Sequence, residues 1–346
     1  MTFNYINPIK LLISEKTYNE IVDDAKRFQI LKPNGEPSIN KFVNIVIQNY
    51  LEEYSKQEMK KIHTIEKELI HIKNEFEKND VATKIYEAIL YMGFNKDETL
   101  GNKYISLKPN QESNLILEHI KINVLTSSIT LTTYLRNMLS SFFKLPTFER
   151  EIIIFKNEYD TIKNAIKDNI NLIIITKEKS TIRLKPICID TTNEEIHNYI
   201  IGKEAANKSN HFIIAPRKLR SIKNIYPDRK TKIDLTEQDQ KLINKMKRNG
   251  IQYNYKSDEE NIIVEFTKKE FDLYKKTFLQ KPNPIHPMEI INEKYILEFD
   301  CSYFQLQIFL SKFGKEGKVI KPKKLAKKIH EFHYQAYSIY NKEESK

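Results

Sequence analysis

Residues 181–225 read TIRLKPICIDTTNEEIHNYIIGKEAANKSNHFIIAPRKLRSIKNI, and the fold class turns on this stretch. Apolar and polar residues alternate in short runs separated by turn-forming clusters, the pattern of small antiparallel strands. Ile182, Leu184 and Ile187 supply one face before a loop at residues 190–195, and Tyr199-Ile200-Ile201 resumes it. Gly202 is expected to end that strand, and residues 211–215 to begin the next. Five short strands on a tight meander suit a small barrel. Between positions 203 and 232 nine Lys or Arg stand against two acids, Glu204 and Asp228. Such a run is either a solvated basic face or an electropositive groove for a nucleotide or phosphodiester.

The order Arg183-x-Lys185-Pro186, then Asn198-Tyr199-Ile200-Ile201-Gly202, then Arg217-Lys218-Leu219…Ile222, resembles a WYL domain. Asn198 stands at the family's Trp and Ile200 at its Leu, while the second Arg of its FRLxRI segment falls on Ser221, with Arg220 one place early. The resemblance implies a small Sm/SH3-like β-barrel in a regulator that senses nucleotides or binds nucleic acid. It makes Arg183, Lys185, Tyr199, Lys203, Arg217, Lys218 and Arg220 the nucleic-acid-binding residues. Guanidinium forks would grip phosphate, and Tyr199 would stack on a base.

A chain of 346 residues exceeds one typical core and suggests two to four domains. Its 40% apolar residues are enough to fold, and a net charge of +11 implies an acidic partner, nucleic acid before an anionic membrane. No long apolar run and no signal-peptide core are present, so the expected location is cytoplasmic, without membrane binding. Cys188 and Cys301 form no CxxC pair and read as reduced, buried thiols.

Residues 8–54 follow a strand, helix, Gly-bearing turn, helix plan. Residues 8–13 are the strand, Ser14 caps a helix burying Tyr18, Ile21, Val22 and Ala25, and the turn carries Pro33-Asn34-Gly35 and Pro37. Ser38 then caps a helix with Phe42, Val43, Val46, Ile47, Tyr50 and Leu51 inward. The plan recurs in residues 103–145. There a strand at 104–108 precedes a helix carrying Leu115, Ile116 and His119, and Thr130 caps the next helix. An offset of 92 residues pairs Phe42 with Tyr134, Val46 with Met138 and Tyr50 with Phe142, and the strands sit about 94 apart. Self-similarity at one offset marks a duplicated unit. Both copies resemble ribbon-helix-helix DNA binders, whose paired strands enter the major groove. Residues 1–146 are therefore expected to form a tandem ribbon-helix-helix closed on itself, or on a second copy in a homodimer. With Leu11, Ile13, Ile105 and Leu107 inward, the ribbon readers are Lys10, Leu12, Tyr104 and Ser106. Ser38 and Thr130, at helix starts, would clamp phosphate. Between the copies, residues 52–92 read as a helical spacer broken at Asn79-Asp80 and ending at Gly93.

After the spacer and second copy, residues 147–232 are the WYL-like barrel region, entered through a strand at 152–155 and a helix at 159–167. Residues 233–250 read as a connector, a polar helix ending at Gly250. Residues 251–346 alternate strands at 261–266, 294–300 and 318–321 with helices at 268–278, 303–313 and 323–340, which suits a ferredoxin-like sandwich. Phe313-Gly314-x-x-Gly317-x-Val319-Ile320-x-Pro322-x-x-Leu325 resembles the extension that commonly follows WYL domains. The class expected is α+β multidomain.

Six lysines fall in residues 318–328 without an acid, and Lys321, Lys323, Lys324 and Lys327 are taken as phosphate contacts across a strand end and a helix start. His330 and His333 share a helix face but lack a third ligand, so no metal site is expected. The seven glycines form neither GxGxxG nor GxxxxGK[ST], and no HExxH or GxSxG is present, so neither cofactor nor enzymatic activity is expected. Chains joining ribbon-helix-helix to WYL resemble accessory proteins encoded beside RNA-targeting CRISPR effectors. That implies single-stranded RNA as ligand and modulation of the effector nuclease. The alternative is a ligand-responsive transcription regulator whose ribbon binds operator DNA.

Overall fold

In the computed structural model of the chain, Ile9–Ser14 (β1) and Asn102–Leu107 (β2) pair as an antiparallel ribbon with Leu11 opposite Ile105. The structure describes residues 8–97, 102–123, 129–192, 196–205, 212–253, 255, 259–313 and 317–343. Gly314, His211 and residues 193–195 of the expected loop lie outside them. The chain divides into two units, Met1–Lys156 and Asn157–Lys346. Among the described residues it is a mixed α/β protein with eleven α-helices and three antiparallel sheets.

In the first unit, β1 runs directly into Glu15–Arg27 (α1), because the Ser14 hydroxyl accepts the Thr17 amide at 3.1 Å. Gly35, at φ 83°, turns the chain back so that Leu31 bridges Pro37. Ile39–Glu68 (α2) follows, then Glu75–Asp97 (α3), β2, Gln111–Asn123 (α4), Leu131–Lys144 (α5) and Thr147–Ile154 (α6). The α2 face of Phe42, Val46, Ile47 and Tyr50 is buried, as is the α5 face of Tyr134, Leu135, Met138 and Phe142. They meet directly: the Phe142 ring lies 6.1 Å from Phe42 and 5.7 Å from Tyr50, both edge to face. Leu11, Ile13, Ile105 and Leu107 point into this core from the ribbon.

Polar ties join the elements of this unit. Asn44 is buried on α2; its amide donates to Lys108 O at 3.1 Å and its carbonyl accepts Asn110 N at 3.0 Å. Asn110 in turn caps α4 by accepting Ser113 N at 2.9 Å. Buried Asp24 of α1 accepts from Arg150 Nε of α6 at 2.7 Å and also pairs with Arg27. Neither residue stood out in the sequence.

Four expectations in this unit need correction. The spacer breaks at residues 69–74 rather than Asn79-Asp80, because the Asn74 carbonyl accepts Phe76 N at 3.0 Å and starts α3 there. Helix α3 runs on through Gly93 to Asp97. The expected strand at 152–155 is the end of α6; its isoleucines look β-prone, but Ile154 is buried and tertiary packing decides. On α4 the buried face is Ser113, Leu117 and Ile120, while Leu115 and His119 are exposed.

The second unit begins with Lys156–Lys167 (α7), which starts at the unit boundary, and continues as Asn171–Thr176 (β3), Thr181–Thr191 (β4), Asn198–Ala205 (β5), Phe212–Lys218 (β6) and Ile222–Asp228 (β7). These five strands form one antiparallel sheet in the order β6-β5-β4-β3-β7, and a 3-10 turn, Leu219–Ser221, links the two edge strands. Proline falls where the ladder can lose a donor: Pro216 and Pro227 on edge strands, Pro186 at the β4–β5 register shift. Gly202 does not end a strand; it sits in the middle of β5, where an added Cβ would lie 2.8 Å from Lys185 O and collide with Leu184. Its missing side chain is what lets β5 and β4 approach.

Glu237–Asn249 (α8) is no mere connector. Its Ile243 and Met246 are fully buried against Tyr199, Ile201 and Ile214 of the sheet. A capping box of Thr236 and Asp239 fixes its start. Ile262–Phe266 (β8), Lys268–Lys276 (α9), Glu289–Ile291 (β9), Lys294–Phe299 (β10), Tyr303–Leu310 (α10), Gly317–Lys321 (β11) and Lys323–Glu343 (α11) complete the chain. Their sheet has the order β11-β8-β10-β9, with a second core around Phe266, Phe299, Phe309 and Leu325. The short β9, which the sequence reading omitted, is an exposed edge.

Candidate nucleic-acid interface

Strand β5 holds Tyr199, Lys203 and Glu204, and the fold uses all three internally. Successive strand residues face opposite sides, so Lys203 turns toward α8 and Glu204 to the other face. Lys203 is 8% exposed. Its ammonium donates to Asp239 Oδ2 at 2.7 Å and to Asp234 O at 2.8 Å. Burial works to raise the Asp239 carboxyl, but the Lys203 bond and the Thr236 bonds outweigh it and hold the group below the usual carboxylate range. On the other side, Arg217 of β6 forks onto buried Glu204, with Nε at 2.8 Å from Oε2 and Nη2 on Oε1. Tyr199 is 7% exposed and packs with Ile201, Ile243 and Met246.

Two of the expected binding residues, Tyr199 and Lys203, are buried, and a third, Arg217, is paired with Glu204 while its side chain stays 40% exposed. Tyr199 cannot offer a ring face to a base, because both sides of the ring are in the core. Lys203 is held in a buried ion pair that ties the sheet to α8. Arg217 satisfies a buried carboxylate first, since leaving Glu204 alone would carry the full desolvation cost of a charge.

The other expected cations lie on the surface. Arg183 is exposed on β4, its side chain 59% accessible, with Nε 4.0 Å from Asp228 Oδ2. A hydrogen bond from Thr231 and the backbone amides of Lys230 and Thr231, against the opposing effect of burial, keep the Asp228 carboxyl low. Lys185 is half-buried and sits opposite Lys203 in register. Lys218, at the end of β6, and Arg220, within the turn that joins β6 to β7, are half-buried. Lys223, Arg229 and Lys230 are exposed on β7 and the turn beyond it, and were singled out only as part of the basic run. Tyr226, 49% exposed on β7, was not singled out at all.

Lys321, Lys323, Lys324 and Lys327 are all exposed at the end of β11 and the start of α11. They belong to a different sheet from Arg183. In the first unit, Lys10 pairs with Ser106 and Leu12 with Tyr104 across the ribbon. Lys10, Tyr104 and Ser106 are exposed and Leu12 is half-buried. Of the two helix-start hydroxyls, Thr130 caps α5 through Thr133 N at 3.2 Å, whereas Ser38 makes no side-chain cap bond. His330 is exposed and His333 half-buried. Among the described residues no group of three or more His, Cys, Asp or Glu could hold a metal, and no helix is long and apolar enough to cross a membrane.

No family model matches the chain, and no curated protein matches it. Among solved structures, the crystal structure of a CRISPR Cas-related protein superimposes with a TM-score of 0.67 at 18% identity, over 98% of this chain and 96% of that one. Identity that low shows a shared fold and nothing finer. Proteasome accessory factor B/C (PafBC) of Arthrobacter aurescens matches over 63% of this chain and 34% of its own, at 9% identity and a TM-score of 0.25, on which nothing is built.

Proposed function

We propose that the chain is a non-enzymatic nucleic-acid-binding regulator, a WYL-type accessory that binds single-stranded RNA and modulates a CRISPR effector nuclease. In this reading the paired β1–β2 ribbon with its helices is a tandem ribbon-helix-helix. The five-stranded sheet is a divergent Sm/SH3-like barrel, and the β-α-β-β-α-β run ordered β11-β8-β10-β9 is a ferredoxin-like extension. The observation that supports it most is the concentration of exposed cations on β4, β7 and the turn after β7, namely Arg183, Lys223, Arg229 and Lys230, beside a chain-wide charge of +11. The structural likeness to a CRISPR Cas-related protein supports placing this reading in a CRISPR setting. One 20-nucleotide sequence presented as single-stranded RNA, single-stranded DNA and duplex tests the reading in a filter-binding assay. Preference for the RNA single strand supports it, and stimulation or inhibition of a co-encoded effector nuclease tests the regulatory half.

A second reading rests on the ribbon. Its outward row of Lys10, Leu12, Tyr104 and Ser106 is open to solvent or nearly so, as a major-groove reader requires. Tight, sequence-dependent binding to one duplex, lost on replacing Lys10 and Ser106 with Ala, would put this operator-binding reading first.

A further inference from the structure

We infer that Tyr226 is a base-stacking platform, taking one unpaired base of the single-stranded RNA while Arg183 holds the adjoining phosphate. The inference rests on the single-strand reading above and locates the part of the surface that would distinguish an unpaired strand from a duplex. A lone exposed tyrosine is ordinary on a protein surface; the registers around this one set it apart. Ile173 of β3 lies opposite Arg183 on one side and opposite Tyr226 on the other, so the three form a row across β4, β3 and β7 on one face of the sheet. Ile175, one step along the same face, lies between Thr181 and Asn224. Ile173 and Ile175 are only half-buried and give the row an apolar floor.

The arginine reaches toward the tyrosine's strand. Arg183 starts on β4, yet its Nε lies 4.0 Å from a carboxylate oxygen of Asp228, which is two residues beyond Tyr226 and on the same face of β7. That Asp228 oxygen has no hydrogen-bond partner, and 4.0 Å is too long to provide one. The pair is therefore an orienting contact, which leaves the guanidinium donors available to phosphate. Lys223, Arg229 and Lys230 are exposed on the same strand and the turn after it, and β7 is an edge of its sheet. Aromatic face, apolar floor and exposed cations are the parts that bind single strands without reading sequence. A duplex keeps its base faces stacked and cannot use such a ring.

The chain contains no tryptophan, so Tyr226→Trp introduces a single indole at the platform, excited selectively at its red edge. The probes are a uridine 20-mer and an abasic 20-mer of equal charge, each followed by anisotropy and by the indole emission. The uridine strand should bind Tyr226→Trp as well as wild type and quench the emission, while the abasic strand should leave the emission unchanged. Tyr226→Ala should weaken uridine binding by roughly tenfold or more, within the range for losing one stacked base. Tyr226→Phe should bind as wild type, and abasic affinity should not respond to either change. If the uridine strand binds by anisotropy without quenching, or Tyr226→Ala binds it as wild type does, the platform is refuted while single-strand binding stands. If wild type binds no single strand, both fall together.

Discussion

Replacing Lys203 with Met separates a structural cation from a binding one. The side chain makes two bonds, to Asp239 Oδ2 and Asp234 O, and both it and Asp239 are largely buried. Removing one partner of a buried pair costs about 3–5 kcal/mol. The lower end applies here: Asp239 keeps its bonds from Thr236 N at 2.7 Å and Thr236 Oγ1 at 2.8 Å, and methionine preserves most of the apolar stem. A loss of about 3 kcal/mol in the second unit corresponds to a melting shift of roughly 6–12 °C for a domain of that size. The pH dependence supplies an independent check. Asp239 is depressed in the folded chain, so its contribution is present above the unfolded carboxyl value near ~3.9 and is lost as pH falls through the lower folded value. Without Lys203 that depression shrinks, and stability should fall less steeply between about pH 5 and pH 3. Denaturant melts across that range measure both effects, and binding isotherms at several salt concentrations measure a third. Because Lys203 touches no phosphate in this account, the salt slope for single-stranded RNA should be unchanged. A stable variant whose slope falls by about 0.7, the value of one phosphate contact on a single strand, would refute the argument.

Other substitutions test neighbouring parts. Arg183→Ala should leave the melt nearly unchanged and lower the single-strand salt slope by about 0.7, read from the same isotherms. Arg150→Ala leaves buried Asp24 with only half-exposed Arg27, so the first unit should lose about 3 kcal/mol in a urea titration. Gly202→Ala places a methyl group against Leu184 and Lys185 O, and overpacking of this kind should cost about 1–3 kcal/mol by thermal melt.

The ribbon was legible because its two strands carry the same apolar spacing at one offset. Leu11 and Ile105 are equivalent residues at the strand offset, and the register places them opposite each other. The alternating C-terminal strands and helices were legible too, apart from β9, whose three residues are too few to show a period. What failed in the sheet failed for one physical reason. From Asn198 to Glu204 every residue of β5 is buried: one face packs on α8, and on the other Glu204 is paired with Arg217. A strand covered on both faces loses the alternation that marks an exposed side. Its charges then look like surface residues in sequence although they are paired inside. The partners of those charges, Asp239 and Arg217, lie 36 and 13 residues away, and spacing alone could not assign them. Helix α8 was undervalued for a related reason. Its composition is polar, but Ile243 and Met246 are three residues apart and suffice to seat it.

The internal ribbon also bears on which of the two functional readings fits the chain. A two-fold dimer of ribbon-helix-helix units presents identical strands, and its two half-sites match. Here the equivalent positions differ. Lys10 corresponds to Tyr104 and Leu12 to Ser106, and the register sets Lys10 against Ser106 and Leu12 against Tyr104. A cation and an aliphatic side chain thus occupy one strand, an aromatic ring and a hydroxyl the other. The two halves of any duplex lying against this surface meet different chemistry, so a palindrome gains nothing from the pseudo-symmetry. Leu12 contributes no hydrogen bond to a base edge and is half-buried, so one of the four positions reads shape or a methyl group at most. The core beneath is alike where the outer row is not, since Leu11, Ile13, Ile105 and Leu107 are apolar and buried in both strands. Like packing under an unlike outer row favours, within the proposed function, a ribbon that serves to hold its two strands and their helices together over one that reads a duplex.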